Sequence, residues 1–385
     1  MGKIYTALGL MSGTSMDGVD VSIINSDGNR EYSIKLNKYF EYGDDLRQKL
    51  INIRAKIFTA EHLKTYSDEI KDLEREITLF HANAVNEILI ASKIEVDLLG
   101  FHGQTIFHDS KKKITRQLGD GKLLSQLTKK MVVYDFRQDD LKNGGQGAPL
   151  APIFHNAMVN KFLKKELDKS NSINILNIGG ISNITQTVKW EELDHKYQTM
   201  KACDIAPGNC LIDEWVRKNS KNKYDNDGEL GRIGKTDNLI LNQALENFNI
   251  DPNYKESLDV NDFDISFAKG LSLENGVSTL TDFTATQIIK ALGYFGGSSE
   301  NTIWLVCGGG RKNKYLMKLI TNEIADVVKR IDLHPVEKYG IDGDFVESQA
   351  FAYLAIRSFL KLPISFPTTT GCKEPTTGGV MVKNF

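Results

Sequence analysis

The chain has 385 residues, which is long for a single hydrophobic core and favours two domains. Hydrophobic residues make up 41% and charged residues 25%, the balance of a soluble globular protein. A formal net charge of −2 shows no basic excess, so we expect no nucleic-acid partner.

No apolar stretch has the length of a membrane span or the features of a signal peptide, so we expect no membrane partner. The four cysteines, Cys203, Cys210, Cys307 and Cys372, are scattered and form no CxxC pair. Scattered cysteines favour a reducing compartment. We therefore expect a cytoplasmic protein.

Two segments of the chain have the same pattern. Residues 5–24 and residues 173–188 each read as an apolar strand, a turn of glycine and small polar residues, and a second strand with apolar residues on alternate or near-alternate positions. Each pattern is typical of a β-hairpin. A hairpin near the start of each half predicts two similar domains.

Helices and further strands fill the rest of the chain. Apolar residues at three- and four-residue steps predict one long amphipathic helix over 63–84, with Thr59 as its N-cap. Further strands are predicted at 97–101, 131–134 and 302–307, and further helices at 209–217, 278–292 and 345–360. Strands that alternate with helices predict an α/β fold.

The turn of the first hairpin carries the first candidate site. It comprises Gly13, Thr14, Ser15, Met16, Asp17, Gly18, Val19 and Asp20. Glycines let backbone amides approach an anion, and the hydroxyls add donors. Asp17 and Asp20 suit a triphosphate only if Mg²⁺ lies between them and the phosphates. A hairpin turn without a ligand is the alternative, and the segment lacks the ending of a Walker A loop.

Two further glycine loops follow in the second half. The second hairpin turn carries Gly179, Gly180, Ser182 and Asn183, and a buried strand at 302–307 opens into Gly308, Gly309, Gly310 and Asn313. Glycines at the end of a strand let a flat ligand pass close to the backbone. Each loop alone is a weak signal. Together the three loops predict nucleotide binding in a cleft between two domains.

An acidic residue, Asp204, stands at the end of a predicted strand, before Pro207, Gly208 and a helix. Asp204 either caps this turn or places a carboxylate at the edge of a cleft. Asn209 is itself a good N-cap residue, which leaves Asp204 available for chemistry.

Polar residues after the strands of the first half suit a sugar. They are His102, Gln104, Thr105, Gln117, Asp120 and Arg137. Amides, short acids and an arginine bind hydroxyl and carboxylate groups. For each of them, a structural hydrogen bond is equally well supported.

Nine segments together resemble the anhydro-N-acetylmuramic acid kinase family. They are GLMSGTSMDGVD from Gly9, FHGQT from Phe101, QLGDG from Gln117, DFR from Asp135, GGQGAPLAP from Gly144, NIGGISN from Asn177, CDIAPGN from Cys203, CGGGRKN from Cys307 and ESQAFAYLA from Glu347. They occur in the family's order over nearly the whole chain. Ala206, Tyr134 and the segment 367–372 depart from the family pattern.

The resemblance implies an actin-like ATPase fold with two RNase-H-like domains and ATP in the interdomain cleft. We assign 1–145 with 355–385 to domain I and 146–354 to domain II. The implied reaction uses ATP, Mg²⁺ and water to convert 1,6-anhydro-N-acetylmuramic acid to N-acetylmuramic acid 6-phosphate, a step of cell-wall recycling. By this resemblance Asp204 corresponds to the catalytic base, and Glu347 is a second acid that holds the water or the sugar. The sequence leaves open whether the protein forms a homodimer.

Two competing interpretations remain. Another sugar or acetate kinase of the same fold would deprotonate a substrate hydroxyl instead of water, and it would not require an anhydro sugar. An actin-like assembly ATPase would share the phosphate hairpins, but the HGQT, DFR and GGQGAP segments have no evident use there.

Overall fold

The computed structural model describes residues 2–167, 172–191, 193, 200–248, 257–295, 302–327 and 331–385. Within these residues the strands are β1 (Tyr5–Ser12), β2 (Gly18–Ser26), β3 (Tyr32–Glu41), β4 (Leu98–Asp109), β5 (Ile114–Leu118), β6 (Met131–Tyr134), β7 (Ser172–Ile178), β8 (Ile181–Gln186), β9 (Lys201–Pro207), β10 (Thr302–Cys307), β11 (Ile331–Pro335) and β12 (Val380–Val382). The α-helices are α1 (Asp44–Lys56), α2 (Ala60–Thr65), α3 (Ser67–Ser92), α4 (Gly121–Thr128), α5 (Gln138–Lys142), α6 (Pro152–Phe162), α7 (Lys164–Leu167), α8 (Cys210–Asn219), α9 (Glu229–Ile233), α10 (Asn238–Asn247), α11 (Leu273–Phe295), α12 (Lys314–Val327) and α13 (Val346–Phe359).

The chain forms two compact units. The first comprises Met1–Lys164, Val188–Lys201 and Asp344–Phe385, and the second comprises Lys165–Thr187 and Ala202–Gly343. These bounds group α6 and α13 with the first unit. The predicted division into 1–145 with 355–385 and 146–354 stays a prediction.

The first unit is built on a sheet with strand order β12-β6-β4-β1-β2-β3, and β5 pairs with β4. Strands β1, β2 and β3 form an antiparallel meander, whereas β4 is parallel to β1 and β6 is parallel to β4. The β1–β2 register runs to the pair Met11↔Asp20, and residues 13–17, between the end of β1 and the start of β2, form the turn of the first hairpin.

The second unit repeats this arrangement in the order β9-β8-β7-β10-β11. Its hairpin β7–β8 is antiparallel, and β10 is parallel to both β7 and β11. Both predicted hairpins and the α/β class are confirmed. The repeated sheet is the architecture expected of an actin-like ATPase fold.

Helix α13 packs on the sheet of the first unit because two strands carry glycine beneath it. A Cβ atom at Gly9 of β1 would collide with the carbonyl oxygen of Ser348, and one at Gly100 of β4 would collide with that of Phe351. On the same helix, Ser348 Oγ lies 2.7 Å from Ser22 Oγ of β2, so a hydrogen bond also joins helix and sheet.

Each of the two units has its own apolar core. In the first, side chains of β1, α1 and α3 such as Leu8, Leu50 and Ile77 are fully buried. In the second, Trp304 of β10 packs with α11 and α12. None of the helices in the described part of the chain is both long and apolar enough to cross a membrane.

The prediction of a single long helix over 63–84 is wrong in one respect, because the structure has two helices there. Helix α2 ends at Thr65, Tyr66 leaves the helical conformation at φ −103° and ψ 23°, and α3 begins at Ser67. The acidic residues Asp68 and Glu69 in the first turn of α3 favour a new start there. Thr59 stands at the N-cap position of α2, but its side chain makes no capping hydrogen bond.

Candidate active site

The turn of the first hairpin is a tight loop with an exposed tip. Met16 takes a left-handed conformation at φ 55° while its side chain is buried, and its N–H donates to the carbonyl of Gly13 at 3.3 Å. Thr14 and Ser15 are exposed, and Ser15 Oγ donates to Asp17 Oδ1 at 2.6 Å. The hydroxyl of Ser15 is therefore partly used in orienting Asp17.

Side chains and backbone from outside the loop bind its carbonyl oxygens. The bonds are Gln104 Nε2 to Gly13 O (2.9 Å), Arg54 Nη1 to Thr14 O (3.3 Å) and Tyr42 N to Asp17 O (2.8 Å). A loop that binds an anion must turn amide N–H groups toward it and carbonyl oxygens away. Protein donors therefore occupy three carbonyl oxygens of this loop, which meets one of the two conditions for an anion-binding turn.

Glycine is found at positions 13 and 18 for different reasons. A Cβ atom at Gly18 would collide with the carbonyl of Phe40 and the ring of Tyr39, so the fold requires glycine there. A Cβ atom at Gly13 would meet only Ser15 Oγ, at 3.6 Å. Because the fold does not need glycine at position 13, the close approach of a ligand is a sufficient reason for it.

The carboxylates beside this loop create a negative field that suits a cation. Burial raises the pKa of Tyr39, and the charges of Asp17, Glu41 and Asp20 raise it further. In the described residues no group of three or more His, Cys, Asp or Glu side chains could hold a metal ion by itself. Mg²⁺ is commonly bound by one or two carboxylates together with substrate phosphates. Asp17 and Asp20 fit that mode.

The second hairpin turn is bonded to the start of α8. Gly208 N donates to Gly180 O and Asn209 N to Gly179 O, both at 2.8 Å, and Ser182 Oγ donates to Pro207 O at 3.1 Å. Ser182 is fully buried, so its hydroxyl supports the fold. Asn209 occupies the N-cap position of α8 without a side-chain capping bond, which corrects the prediction that it caps this helix.

Space remains at the tip of this second turn. A Cβ atom at Gly179 would come no closer than 3.5 Å to the carbonyl of Ile181, whereas one at Gly208 would collide with Gly179 itself. Asn183 pairs with Asn177 in the β7–β8 ladder and is half-buried. Gly179 is thus the open glycine here, as Gly13 is in the first turn.

The third glycine loop follows β10. Gly308 has φ 78°, a left-handed conformation that favours glycine, and a Cβ atom at Gly310 would collide with Ile178. Gly309 is exposed, and a Cβ atom there would meet only Asn209 Nδ2, at 3.7 Å. Asn313 Oδ1 accepts from Leu316 N at 2.9 Å and so caps α12. Of these residues, Gly309 faces open space.

Asp204 lies within β9, three residues before its last residue Pro207, which corrects the prediction that it stands at the end of the strand. Its Oδ2 accepts from Ser257 Oγ at 2.7 Å and from Leu258 N at 2.9 Å. Burial, and secondarily the charge of Asp204, raise the pKa of the Cys203 thiol to about 12, so this cysteine stays protonated at neutral pH. The two donors hold the Asp204 carboxylate in one orientation.

Glu347 belongs to the first unit, where it lies in the first turn of α13 and is half-buried. A carboxylate in the first turn of a helix is stabilised by the helix dipole. The dipole of α13 therefore favours a carboxylate at this position of the first unit.

His102 and Arg137 are brought together in the first unit. His102 Nδ1 lies 2.8 Å from Gly103 O, and Arg137 Nη2 lies 2.9 Å from His102 Nε2. Burial first, and Arg137 second, hold the pKa of His102 well below its usual value. The imidazole is neutral, with its proton on Nδ1, and it accepts from the guanidinium at Nε2.

The remaining sugar-side residues have structural contacts. Gln117 Nε2 donates to Thr105 Oγ1 at 3.1 Å, and Gln104 is bonded to the first loop. Asp120 Oδ1 caps α4 by accepting from Lys122 N and Leu123 N at 2.9 and 3.0 Å. Contact of these residues with a sugar stays a prediction.

Several side chains of these sites were not singled out from the sequence. They are Tyr42 and His81 behind the first loop, Ser257 beside Asp204, and Asp140, whose Oδ2 accepts from Gly147 N at 2.7 Å. His81 carries one detectable signal, because it follows Ile77 by four residues and so shares the apolar face of α3. The others show no signal that distinguishes them.

Comparison with known proteins identifies relatives over the full length. The family model described as anhydro-N-acetylmuramic acid kinase matches residues 5–384. A protein of that name from Pelagibacter ubique (strain HTCC1062) is 52% identical over 388 residues, and one from Brucella canis is 36% identical over 391 residues; both alignments cover 100% of each chain. A ROK family glucokinase from Streptomyces griseus, solved with glucose and AMPPNP, gives a TM-score of 0.40 at 9% identity, covering 91% of this chain and 99% of its own.

Proposed function

We infer the function from one premise: the chain belongs to the anhydro-N-acetylmuramic acid kinase family. It is a phosphotransferase that acts on a small sugar and uses ATP. The reaction converts 1,6-anhydro-N-acetylmuramic acid, ATP and water to N-acetylmuramic acid 6-phosphate and ADP. The single observation that carries this conclusion is the full-length identity of 52% to a kinase of that name.

The reaction combines a hydrolysis with a phosphoryl transfer. The oxygen of water forms a bond to C1 of the sugar, the bond between C1 and O6 breaks, and O6 takes the γ-phosphoryl group while ADP leaves. We propose that Asp204 accepts the proton from the attacking water. Its support is the double anchor of Oδ2 by Ser257 and Leu258, which orients the carboxylate before substrate binds. We assign Glu347 to holding the water or the sugar.

Three loops are proposed to contact ATP. Their residues are Gly13 to Asp20 in the first hairpin turn and the start of β2, Gly179, Gly180, Ser182 and Asn183 in the second turn and the start of β8, and Gly308 to Gly310 with Asn313 in the third loop. The open glycines Gly13, Gly179 and Gly309 are the supporting observation. Asp17 and Asp20 would hold Mg²⁺, which neutralises charge on the phosphates when bound.

We propose that the sugar contacts His102, Gln104, Thr105, Gln117, Asp120 and Arg137. The neutral imidazole of His102 beside the guanidinium of Arg137 supports this assignment, since the pair orients an arginine suited to an oxygen-rich ligand. A cytoplasmic location is proposed because ATP is supplied there and because none of the four cysteines, all of which lie in the described part of the chain, forms a disulfide. A homodimer is the assembly to test by light scattering.

The decisive experiment compares two sugars. ADP release is measured with ATP and either 1,6-anhydro-N-acetylmuramic acid or N-acetylmuramic acid, and the reaction is run in ¹⁸O-labelled water. We expect turnover of the anhydro sugar with one labelled oxygen at C1 of the first product, before exchange with solvent. Preferential turnover of the open sugar would instead support an ordinary sugar kinase, and ATP-dependent filaments without turnover would support an assembly ATPase.

A further inference from the structure

Behind the first loop lies a buried chain of hydrogen bonds that the proposed reaction does not use. Tyr42 OH lies 2.8 Å from Ser12 Oγ, and Ser12 Oγ lies 3.1 Å from His81 Nε2. Ser12, Tyr42 and His81 are exposed by 1%, 2% and 0%, so water does not compete for these bonds. We define these three side chains as the relay.

The direction of the relay is determined at its inner end. His81 Nδ1 lies 2.8 Å from the carbonyl oxygen of Ile77, one helical turn earlier on α3. A carbonyl can only accept, so Nδ1 carries the ring proton. Burial lowers the pKa of His81 to about 4, so the ring is neutral at neutral pH and Nε2 accepts.

The direction of both hydrogen bonds of the Ser12 hydroxyl is therefore determined. It donates to His81 Nε2, and its oxygen accepts from Tyr42 OH. Ser12 is the last residue of β1, immediately before Gly13. Its side chain points into the protein and anchors the start of the loop.

Tyr42 also anchors the other end of the loop. Its backbone N–H donates to the carbonyl of Asp17 at 2.8 Å, so one residue holds both Ser12 and Asp17. The residues between them, Gly13 to Met16, form the tip proposed to contact phosphate. A small shift of Ser12 or Asp17 would therefore change the direction in which the backbone N–H groups of Gly13 to Met16 point.

We propose that His81 is a positioning residue for phosphate binding, acting through Ser12 and Tyr42 on the loop 13–17. The proposal rests on the function proposed above, because it assumes that this loop contacts ATP. It assigns a role to a helix residue that touches neither ATP nor sugar.

The test uses the full-length protein with two substitutions at one position. His81→Phe keeps the ring, which packs on Phe101 at 4.9 Å between centroids, but removes the acceptor for Ser12. His81→Gln restores an acceptor near the position of Nε2. We expect His81→Phe to raise the KM for ATP by about tenfold or more, the factor that one buried hydrogen bond is worth. His81→Gln should recover most of the loss, and the KM for the sugar should stay unchanged in both.

His155 on α6 offers the matched control. It is also a buried histidine with its pKa lowered to about 4, and it is not part of the relay. His155→Phe should leave the KM for ATP unchanged. An equal rise in both Phe variants would overturn the proposal, as would a His81→Phe enzyme with a normal KM for ATP.

Two further readouts separate this proposal from the proposed function. Imidazole ¹⁵N shifts of the wild-type protein should show His81 neutral with its proton on Nδ1; a proton on Nε2 overturns the relay even if His81→Phe fails to fold. If the wild-type protein does not turn over the anhydro sugar, the proposed function fails. In that case calorimetry of ATP binding to the same variants tests the proposed role of His81. An unchanged affinity for ATP in His81→Phe would overturn that role.

Discussion

Replacing Asp204 with Asn tests the proposed base with little change of structure. Oδ2 of Asp204 accepts from Ser257 Oγ and Leu258 N. In Asp204→Asn the amide oxygen keeps both bonds, so the amide NH₂ takes the place of the other carboxylate oxygen. That group cannot accept a proton from water. The position keeps its shape and loses its basicity.

The expected loss of kcat is on the order of 10²–10⁴-fold, which corresponds to about 3–5.5 kcal/mol of transition-state stabilisation. The cost in folding stability should be only about 1 kcal/mol, since two charge-assisted hydrogen bonds become neutral ones. Ring opening and phosphorylation of O6 should fall together, because water attack starts both. Affinity for ATP should stay near normal.

The assay follows ADP release by a coupled enzyme and ring opening by NMR on the same sample. Ser257→Ala is the matched control, because it removes one donor to Oδ2 and leaves the carboxylate in place. Its loss should be about tenfold. Attack opposite the departing O6 also predicts inversion at C1. Near-normal turnover by Asp204→Asn, or a first product with retained configuration before mutarotation, would refute the assignment.

Two further predictions concern nucleotide binding and acid stability. Gly309→Val should raise the KM for ATP with an unchanged unfolding midpoint, because a side chain there enters open space; Gly310→Val should instead lower the midpoint, because its side chain collides with Ile178. Equal midpoints for both variants would contradict this distinction. Burial lowers the pKa of His81, His108 and His155 to about 4, so the unfolded chain binds more protons than the folded one between about pH 6.5 and 4. Stability should therefore fall as pH drops through this window, by up to about 1.4 kcal/mol per group and pH unit, and denaturant titrations of His155→Phe should show a shallower fall than wild type.

The local elements of this protein were predictable from the sequence. Both hairpins, the strands at 131–134 and 302–307 and the three glycine loops follow from periodicity and turn residues, which act over a few positions. The helix break at Tyr66 was missed because the apolar pattern continues through it while the backbone does not. Helix caps were the least predictable detail: Asn209 makes no capping bond, whereas Asn313, assigned to ATP, caps α12.

The amino-acid sequence by itself determined the α/β class, the duplicated hairpin and the positions of the glycine loops. It did not place Asp204 correctly, because Asp204 lies within β9 and not at its end. Only the tertiary structure decided which of these glycines the fold requires, since that depends on whether Phe40 or Ile178 lies where a Cβ atom would be. It also decided that Tyr42 and His81 meet Ser12 across 30 and 69 residues. Periodicity reports the environment of a residue, but a hydrogen bond needs one particular partner at one distance. Packing of the sheet and helices supplies that partner.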